Sequence, residues 1–145
     1  MDKKTWIVTA NSSCARIFEC ETVNNWNEIE TFIHPQSRLH DRDLASDRAG
    51  ATSELSGKGR YSMTQPQSPK EIEIHIFAKQ VVQFLELARS RGEVDRIFLA
   101  ASPSFLGLLR NEMGNSLLNI VEKSVDKDIS HMKPEMMKDY FFVGV

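Results

Sequence analysis

Hydrophobic and polar residues in the first part of the chain alternate in a way that predicts three short strands. Residues 6–10 (WIVTA) form an apolar run, residues 14–21 (CARIFECE) favour extended structure, and residues 28–34 (EIETFIH) alternate. Residues 11–13 are a turn cluster, and residues 24–25 suit a tight hairpin because Asn tolerates positive φ. We therefore expect an antiparallel meander of three strands.

A long amphipathic helix is predicted to begin next to Ser68. Ser68, Pro69 and Glu71 supply a capping hydroxyl, a proline for the first helical position and a carboxylate for a capping box. Apolar side chains at helical spacing then form one stripe, which comprises Ile74, Phe77, Val81, Phe84, Leu85 and Ala88. Gly92 is a natural terminator for this helix.

The last third of the chain predicts a strand, a helix, a strand and a short helix. Residues 97–101 (IFLAA) are an unbroken apolar run, typical of a central parallel strand, and Ser102 with Pro103 predicts a second capped helix that ends near Gly114. A last strand over 119–125 and a helix over 134–142 follow. We predict one α/β domain over 1–145, with helices packed on a ribonuclease H-like mixed five-stranded sheet of strand order 3-2-1-4-5.

Residues 35–68 have almost no apolar periodicity and are predicted to be one long connection. Connections longer than about 12–15 residues without regular structure are uncommon and are often functional. This connection carries five basic and four acidic side chains. The candidate ligand- or RNA-binding residues are Arg38, Arg42, Arg48, Lys58 and Arg60. Gly50, Gly57 and Gly59 are expected to shape the backbone there, and Asp41, Asp43 and Asp47 to order the arginines.

Composition and net charge argue against some classes of function. A net charge of −2 argues against binding nucleic acid by bulk charge but allows a local basic patch. Cys14 and Cys20 lie on one predicted strand, too far apart to bridge, which favours a reducing compartment. The sequence has no apolar run long enough for a signal-peptide core or a membrane span, so we expect a cytoplasmic protein without membrane insertion.

Several motifs allow two interpretations. Asp41, Asp43 and Asp47 could bind a divalent metal, but their neighbouring arginines favour surface ion pairs, so we expect no metal and no cofactor. Residues 57–60 (GKGR) could hold a phosphate through backbone amides and two cations, or form a simple glycine turn. The four histidines show no ligand spacing, and no residue is placed by sequence to make Ser102 a nucleophile. The sequence therefore favours a protein without catalytic residues.

Residues 37–48 (SRLHDRDLASDR), 57–60, 69–71, 95–110 (DRIFLAASPSFLGLLR) and 127–129 resemble the motifs of the bacterial host attachment protein family. The resemblance covers almost the whole chain. It implies a fold shared with the middle domain of the archaeal and eukaryotic peptide-release factor. It also implies a role in attachment to host cells. In that factor a Gly-Gly-Gln loop between the third strand and the long helix enters the peptidyl-transferase centre, whereas residues 35–68 contain no Gly-Gly-Gln.

Three functional hypotheses follow. The first is a non-catalytic module that contacts RNA or the ribosome through residues 35–68. The second is a protein-interaction factor that supports attachment indirectly, without nucleic acid. The third is a phosphate-directed enzyme that uses the Asp and Arg residues of this connection. The sequence does not fix an oligomeric state.

Overall fold

A computed structural model describes residues 3–34 and 68–142. Within these ranges the chain forms five strands and four helices. In chain order they are β1 (Thr5–Ala10), β2 (Cys14–Thr22), β3 (Asn25–Ile33), α1 (Pro69–Ser90), β4 (Arg96–Ala101), α2 (Pro103–Glu112), α3 (Asn115–Leu118), β5 (Val121–Val125) and α4 (Pro134–Phe141).

The strands form one mixed sheet of order β3-β2-β1-β4-β5. β2 is antiparallel to β1 and to β3, while β4 is parallel to both β1 and β5. The predicted meander, the parallel position of β4 and the strand order are therefore confirmed. β1 and β4 are the central strands, and β1 is buried along its whole length, as an apolar run covered on both faces requires.

Both ends of α1 follow local sequence signals. The Ser68 hydroxyl accepts a hydrogen bond from the backbone N–H of Glu71 (3.1 Å), and the Glu71 carboxylate accepts one from the N–H of Ser68 (2.9 Å). At the other end Gly92 has φ +74°, and the N–H of Glu93 reaches the carbonyl of Ala88 (2.9 Å). This is a Schellman ending, in which glycine takes the left-handed conformation that a side chain would disfavour.

Three details differ from the sequence-based expectations. The β2–β3 hairpin does not use a positive φ at Asn24 or Asn25; among the described residues only Gly92 has one. The last strand begins at Val121, because residues 115–118 form the short helix α3, which the sequence had not indicated. Phe84 is only half-buried, since the buried side of α1 is centred on Phe77, Val81 and Leu85.

The two faces of the sheet carry separate cores. We call the face covered by α1, α2 and α3 the helical face; Trp6, Val8 and Ala10 of β1 point into it. We call the other face the aromatic face, because α4 and the segment before it cover it with clustered rings. Its members include Phe18, Trp26, Phe98, Phe141 and Phe142. Of the helices in the described ranges, none is long and apolar enough to cross a membrane.

Candidate functional site

One edge of the sheet collects the loops and helix starts that can form a binding site. β1, β3, β4 and β5 all run in the same direction, so all four end at this edge, which we call the carboxyl edge. In open α/β sheets, ligands bind in the crevice outside the carboxyl ends of the strands. Here the chain leaves β3 at His34 and returns to the described structure at Ser68.

His34 fixes the point at which the chain leaves the sheet. Its backbone N–H donates to the carbonyl of Ser13 (2.7 Å), and its Nδ1 lies 3.3 Å from the carbonyl oxygen of Ser12. The imidazole stacks on Phe77, with centroids 4.9 Å apart and an interplanar angle of 11°. Phe77 in turn stacks on Phe105 of α2 at 5.8 Å. These contacts tie the end of β3 to both long helices of the helical face.

A cavity of about 340 Å³ opens at the carboxyl edge between the first turns of α1 and α2. The turn after β1 contributes Ser12, α1 contributes Glu71 and His75, and α2 contributes Ser104. Apolar side chains complete the lining, namely Ile74, Phe105 and Leu108. The start of α2 has no side-chain cap, since the Ser102 hydroxyl makes no cap hydrogen bond. Ser102 therefore occupies the N-cap position of α2, as expected, but its side chain makes no capping hydrogen bond.

The cavity has the composition of a binding site. Ser12, His75 and Ser104 line it together with apolar side chains, and ligand sites commonly combine a mostly apolar lining with few polar groups. Two helix starts also place partial positive charge nearby. Glu71 reduces that charge at α1, because its carboxylate already occupies the capping box. The described residues contain no cluster of three or more His, Cys, Asp or Glu side chains able to hold a metal.

A polar bridge on the other side of the carboxyl edge joins the end of β1 to the segment after β5. Asn11 Nδ2 donates to Asp128 Oδ2 (3.0 Å) and to Ser130 Oγ (3.2 Å), while its Oδ1 accepts from the N–H groups of Ser13 and Cys14. Ser130 Oγ also donates to Asp128 Oδ1 (2.7 Å). Burial alone would raise the pKa of Asp128, but the hydrogen bonds from Ser130 and Asn11 outweigh it and lower that pKa.

Arg16 extends this bridge across the aromatic face. Its guanidinium donates to the carbonyls of Ser130 (2.6 Å) and Met132 (2.9 Å), and it makes two further bonds to the carboxylate of Glu28. The bond from Arg16 is the largest cause of the lowered pKa of Glu28. The guanidinium also lies 4.9 Å from the ring centroid of Phe18. One side chain therefore holds the segment after β5 against β2 and β3.

The residues that the sequence analysis predicts for binding lie outside the described ranges. This applies to the basic candidates, the shaping glycines and the ordering acids alike. They are Arg38, Arg42, Arg48, Lys58, Arg60, Gly50, Gly57, Gly59, Asp41, Asp43 and Asp47. The structure does describe the two ends of the connection that carries them, which are His34 and Ser68.

Sequence reasoning missed the cavity and the polar bridge. Ser12, His75 and Ser104 come from three distant segments, and no spacing rule links them. Asn11 and Asp128 are likewise far apart in the chain. The signal that could have found them is topological, because once β1, β4 and β5 are parallel, the residues that follow them must share one edge.

Comparison with known proteins identifies the chain at the level of a family. A search of curated proteins finds no significant match. A family model described as "Protein required for attachment to host cells" matches residues 6–141, which is nearly the whole chain. The match covers every strand and helix of the structure except the first residue of β1, and it supports a role in host attachment. The chain therefore belongs to the family of proteins required for attachment to host cells.

Proposed function

We propose that this protein is a non-catalytic, cytoplasmic module that contacts RNA or the ribosome at the carboxyl edge of its sheet, and that it supports host attachment indirectly through that contact. One observation carries the proposal. The connection with Arg38, Arg42, Arg48, Lys58 and Arg60 starts and ends at the edge where two helix starts and a polar cavity meet. Backbone amides, hydroxyls and nearby cations suit phosphate groups.

The topology supplies further support. A sheet of order 3-2-1-4-5, with a long connection between the third strand and the long helix, agrees with the arrangement expected from the release-factor resemblance. In that factor the same connection works inside the ribosome. The missing Gly-Gly-Gln argues against hydrolysis of peptidyl-tRNA and leaves contact with RNA as the shared property.

Lys58 and Arg60 are the cations on which the proposal depends most. Neither has an acidic neighbour in the sequence, and glycines lie on both sides of Lys58, so main-chain amides can approach a phosphate. The arginines at 42 and 48 adjoin aspartates in the sequence, so the local net charge around them is lower. We therefore assign most of the phosphate contact to Lys58 and Arg60.

A salt titration tests this assignment. Binding of a labelled single-stranded RNA is measured by fluorescence anisotropy over a range of salt concentrations, and co-sedimentation with ribosomes is measured alongside. Each phosphate contact with single-stranded nucleic acid contributes about 0.7 to the log–log salt slope, so Lys58→Ala/Arg60→Ala should flatten the slope by about 1.4. The melting temperature should stay the same.

Lys3→Ala/Arg91→Ala is the matched control. It also removes one lysine and one arginine, both exposed, but from the opposite end of the molecule, before β1 and after α1. This control should keep the wild-type slope. If both double variants flattened the salt slope equally, RNA binding would depend on the net charge of the protein and not on Lys58 and Arg60. Absence of RNA and ribosome binding by the wild type would refute the proposal and favour the protein-interaction hypothesis.

A further inference from the structure

The solvent side of α1 carries a second apolar stripe, opposite the stripe that faces the core. Ile72 is 45% exposed, Ile76 51% and Leu87 49%. Between the last two lie Gln80 and Gln83, which are exposed and uncharged. At 3.6 residues per turn these five side chains fall within about 80° of arc, and no charged residue of the helix interrupts them.

We propose that this outer stripe of α1 is the contact surface of a homodimer, in which α1 packs antiparallel against α1 of a second copy. Ile76, Gln80, Gln83 and Leu87 are spaced by four, three and four residues, which is the spacing of a coiled-coil seam. The buried residues of α1 lie on the opposite side of the helix, so this seam is the side left for another helix.

The stripe is complementary to itself when one helix is reversed. With the two-fold axis midway between Gln80 and Gln83, Ile76 faces Leu87 of the second copy, and Gln80 faces Gln83 of the second copy. The dimer then has four layers along the helix axis. The two outer layers pair Ile76 with Leu87, and the two inner layers pair Gln80 with Gln83, whose side-chain amides can hydrogen-bond to each other. A self-complementary patch of this kind is what a closed two-fold interface requires.

Charge complementarity selects the antiparallel arrangement. In that arrangement Lys79 lies beside Glu86 of the second copy, and the symmetry repeats this pair. Glu86 is already oriented by Arg89 of its own chain, whose guanidinium bonds to both carboxylate oxygens at 3.0 and 2.6 Å. A parallel pair would instead place Lys79 against Phe84, which packs against Trp6 and Phe32 of its own chain.

A groove beside the stripe gives the partner's side chains a place to pack. It has a volume of about 510 Å³ and lies between the C-terminal half of α1 and the α2–α3 junction. Val82 and Leu87 contribute apolar lining, and Glu86 and Glu112 contribute carboxylates. Ile76 of the second copy, which faces Leu87, enters this groove.

The interface is small, and the dimer should accordingly be weak. The paired seam from Ile76 to Leu87 is about 17 Å long at 1.5 Å per residue, which places the contact at the low end of specific interfaces. We expect a dissociation constant in the micromolar range, and therefore a monomer–dimer equilibrium that depends on protein concentration.

Sedimentation velocity from low micromolar to near-millimolar protein tests the proposal. Wild type should shift from monomer to dimer, and Ile76→Glu should raise the dissociation constant at least about tenfold. Ile33→Glu is the control, because Ile33 is a similarly exposed isoleucine (57%) on β3 rather than on α1. Lys79→Glu and Glu86→Lys should each weaken the dimer, and the double variant should recover part of the loss because the pair is reversed.

Crosslinking tests the orientation. A mixture of Gln80→Cys and Gln83→Cys proteins should form disulfide-linked heterodimers more readily than either protein alone, since the antiparallel register brings position 80 to position 83. Faster crosslinking of Gln80→Cys with itself would overturn the antiparallel arrangement. A wild type that stays monomeric, as it would if residues 35–67 of its own chain covered the stripe, would overturn the dimer. So would a dimer whose dissociation constant Ile76→Glu does not change.

Discussion

The helical face and the aromatic face of the sheet are covered in different ways. On the helical face, a 22-residue helix with a buried stripe of Phe77, Val81 and Leu85 shares one core with side chains of β1 and β2. On the aromatic face an eight-residue helix contributes Met137 and Phe141, and the segment before it is held by Arg16 and the Asn11–Asp128 bridge. A long helix covers its face by apolar burial, whereas a short helix needs polar bonds to hold its connecting segment in place.

The largest effect is expected at the centre of the helical face. Phe77→Ala should reduce the free energy of unfolding by about 3–5 kcal/mol, since it removes a fully buried ring that stacks on both His34 and Phe105. Urea denaturation measures the change. Phe84→Ala, at a half-buried ring of the same helix, should lose less. Equal losses would mean that burial does not distinguish the two positions.

The second effect concerns the aromatic face. Arg16→Met keeps an unbranched apolar stem but removes the hydrogen bonds from Arg16 to two carbonyls and to the Glu28 carboxylate, so we expect a loss of about 1.5–3 kcal/mol. Hydrogen exchange should rise in residues 126–133 and stay unchanged in α1. Faster exchange in α1 instead would show that the two faces are not independent.

The third effect depends on pH and concerns the Asn11–Asp128 bridge. Because folding lowers the pKa of Asp128 below its ordinary value of 3.8, the ionised carboxylate stabilises the fold above that pH, and this contribution is lost as the pH falls through the lowered pKa. Asp128→Asn should cost about 1 kcal/mol at neutral pH through lost hydrogen bonds, and the difference from wild type should vanish in acid. Denaturation curves at neutral and acidic pH measure it. A difference that does not change with pH would exclude the carboxylate as its source.

The smallest effects compare one tryptophan on each face. Within the described residues neither Trp6 Nε1 nor Trp26 Nε1 has a hydrogen-bond partner, so replacement by Phe loses no such bond at either site. Trp6 is 4% exposed and stacks on Phe84, and Trp6→Phe should cost about 1–2 kcal/mol through the volume it vacates. Trp26 is half-buried, and Trp26→Phe should cost less than about 1 kcal/mol. If Trp26→Phe lowered the free energy of unfolding more than Trp6→Phe, the predicted order of the two tryptophans would be wrong.

Much of the fold could be predicted from the sequence because its strongest signals are local. The apolar run at 97–101 indicated a central parallel strand, and Ser68, Pro69 and Gly92 marked the ends of α1. The short helix α3 was missed because residues 114–116 (GNS) are typical of a turn and Gly114 provides no side-chain cap. The irregular pairing of β2 with β3 near Phe18 also has no sequence signal.

The candidate site could be predicted only in outline. The sequence predicts that residues 35–68 lie between the third strand and the long helix, and the structure has β3 and α1 on either side of them. The candidate binding residues on this connection stay a prediction, because they lie outside the described ranges. The cavity itself depends on how α1 and α2 sit against each other, which the packing of Phe77 on Phe105 sets. Contacts of this kind follow from tertiary packing, and neither residue carries a local signal for it.

The anchoring of His34 and Ser68 has a consequence for the chain that lies between them. Each anchor is made by residues of the described structure, His34 through Ser12, Ser13 and Phe77, and Ser68 through Glu71. The chain between them can therefore be exchanged without removing an anchor, and doubling its length should cost only about 0.6 kcal/mol of closure entropy. Replacement of residues 35–67 by an unrelated segment of similar length should therefore leave both anchors and the fold in place.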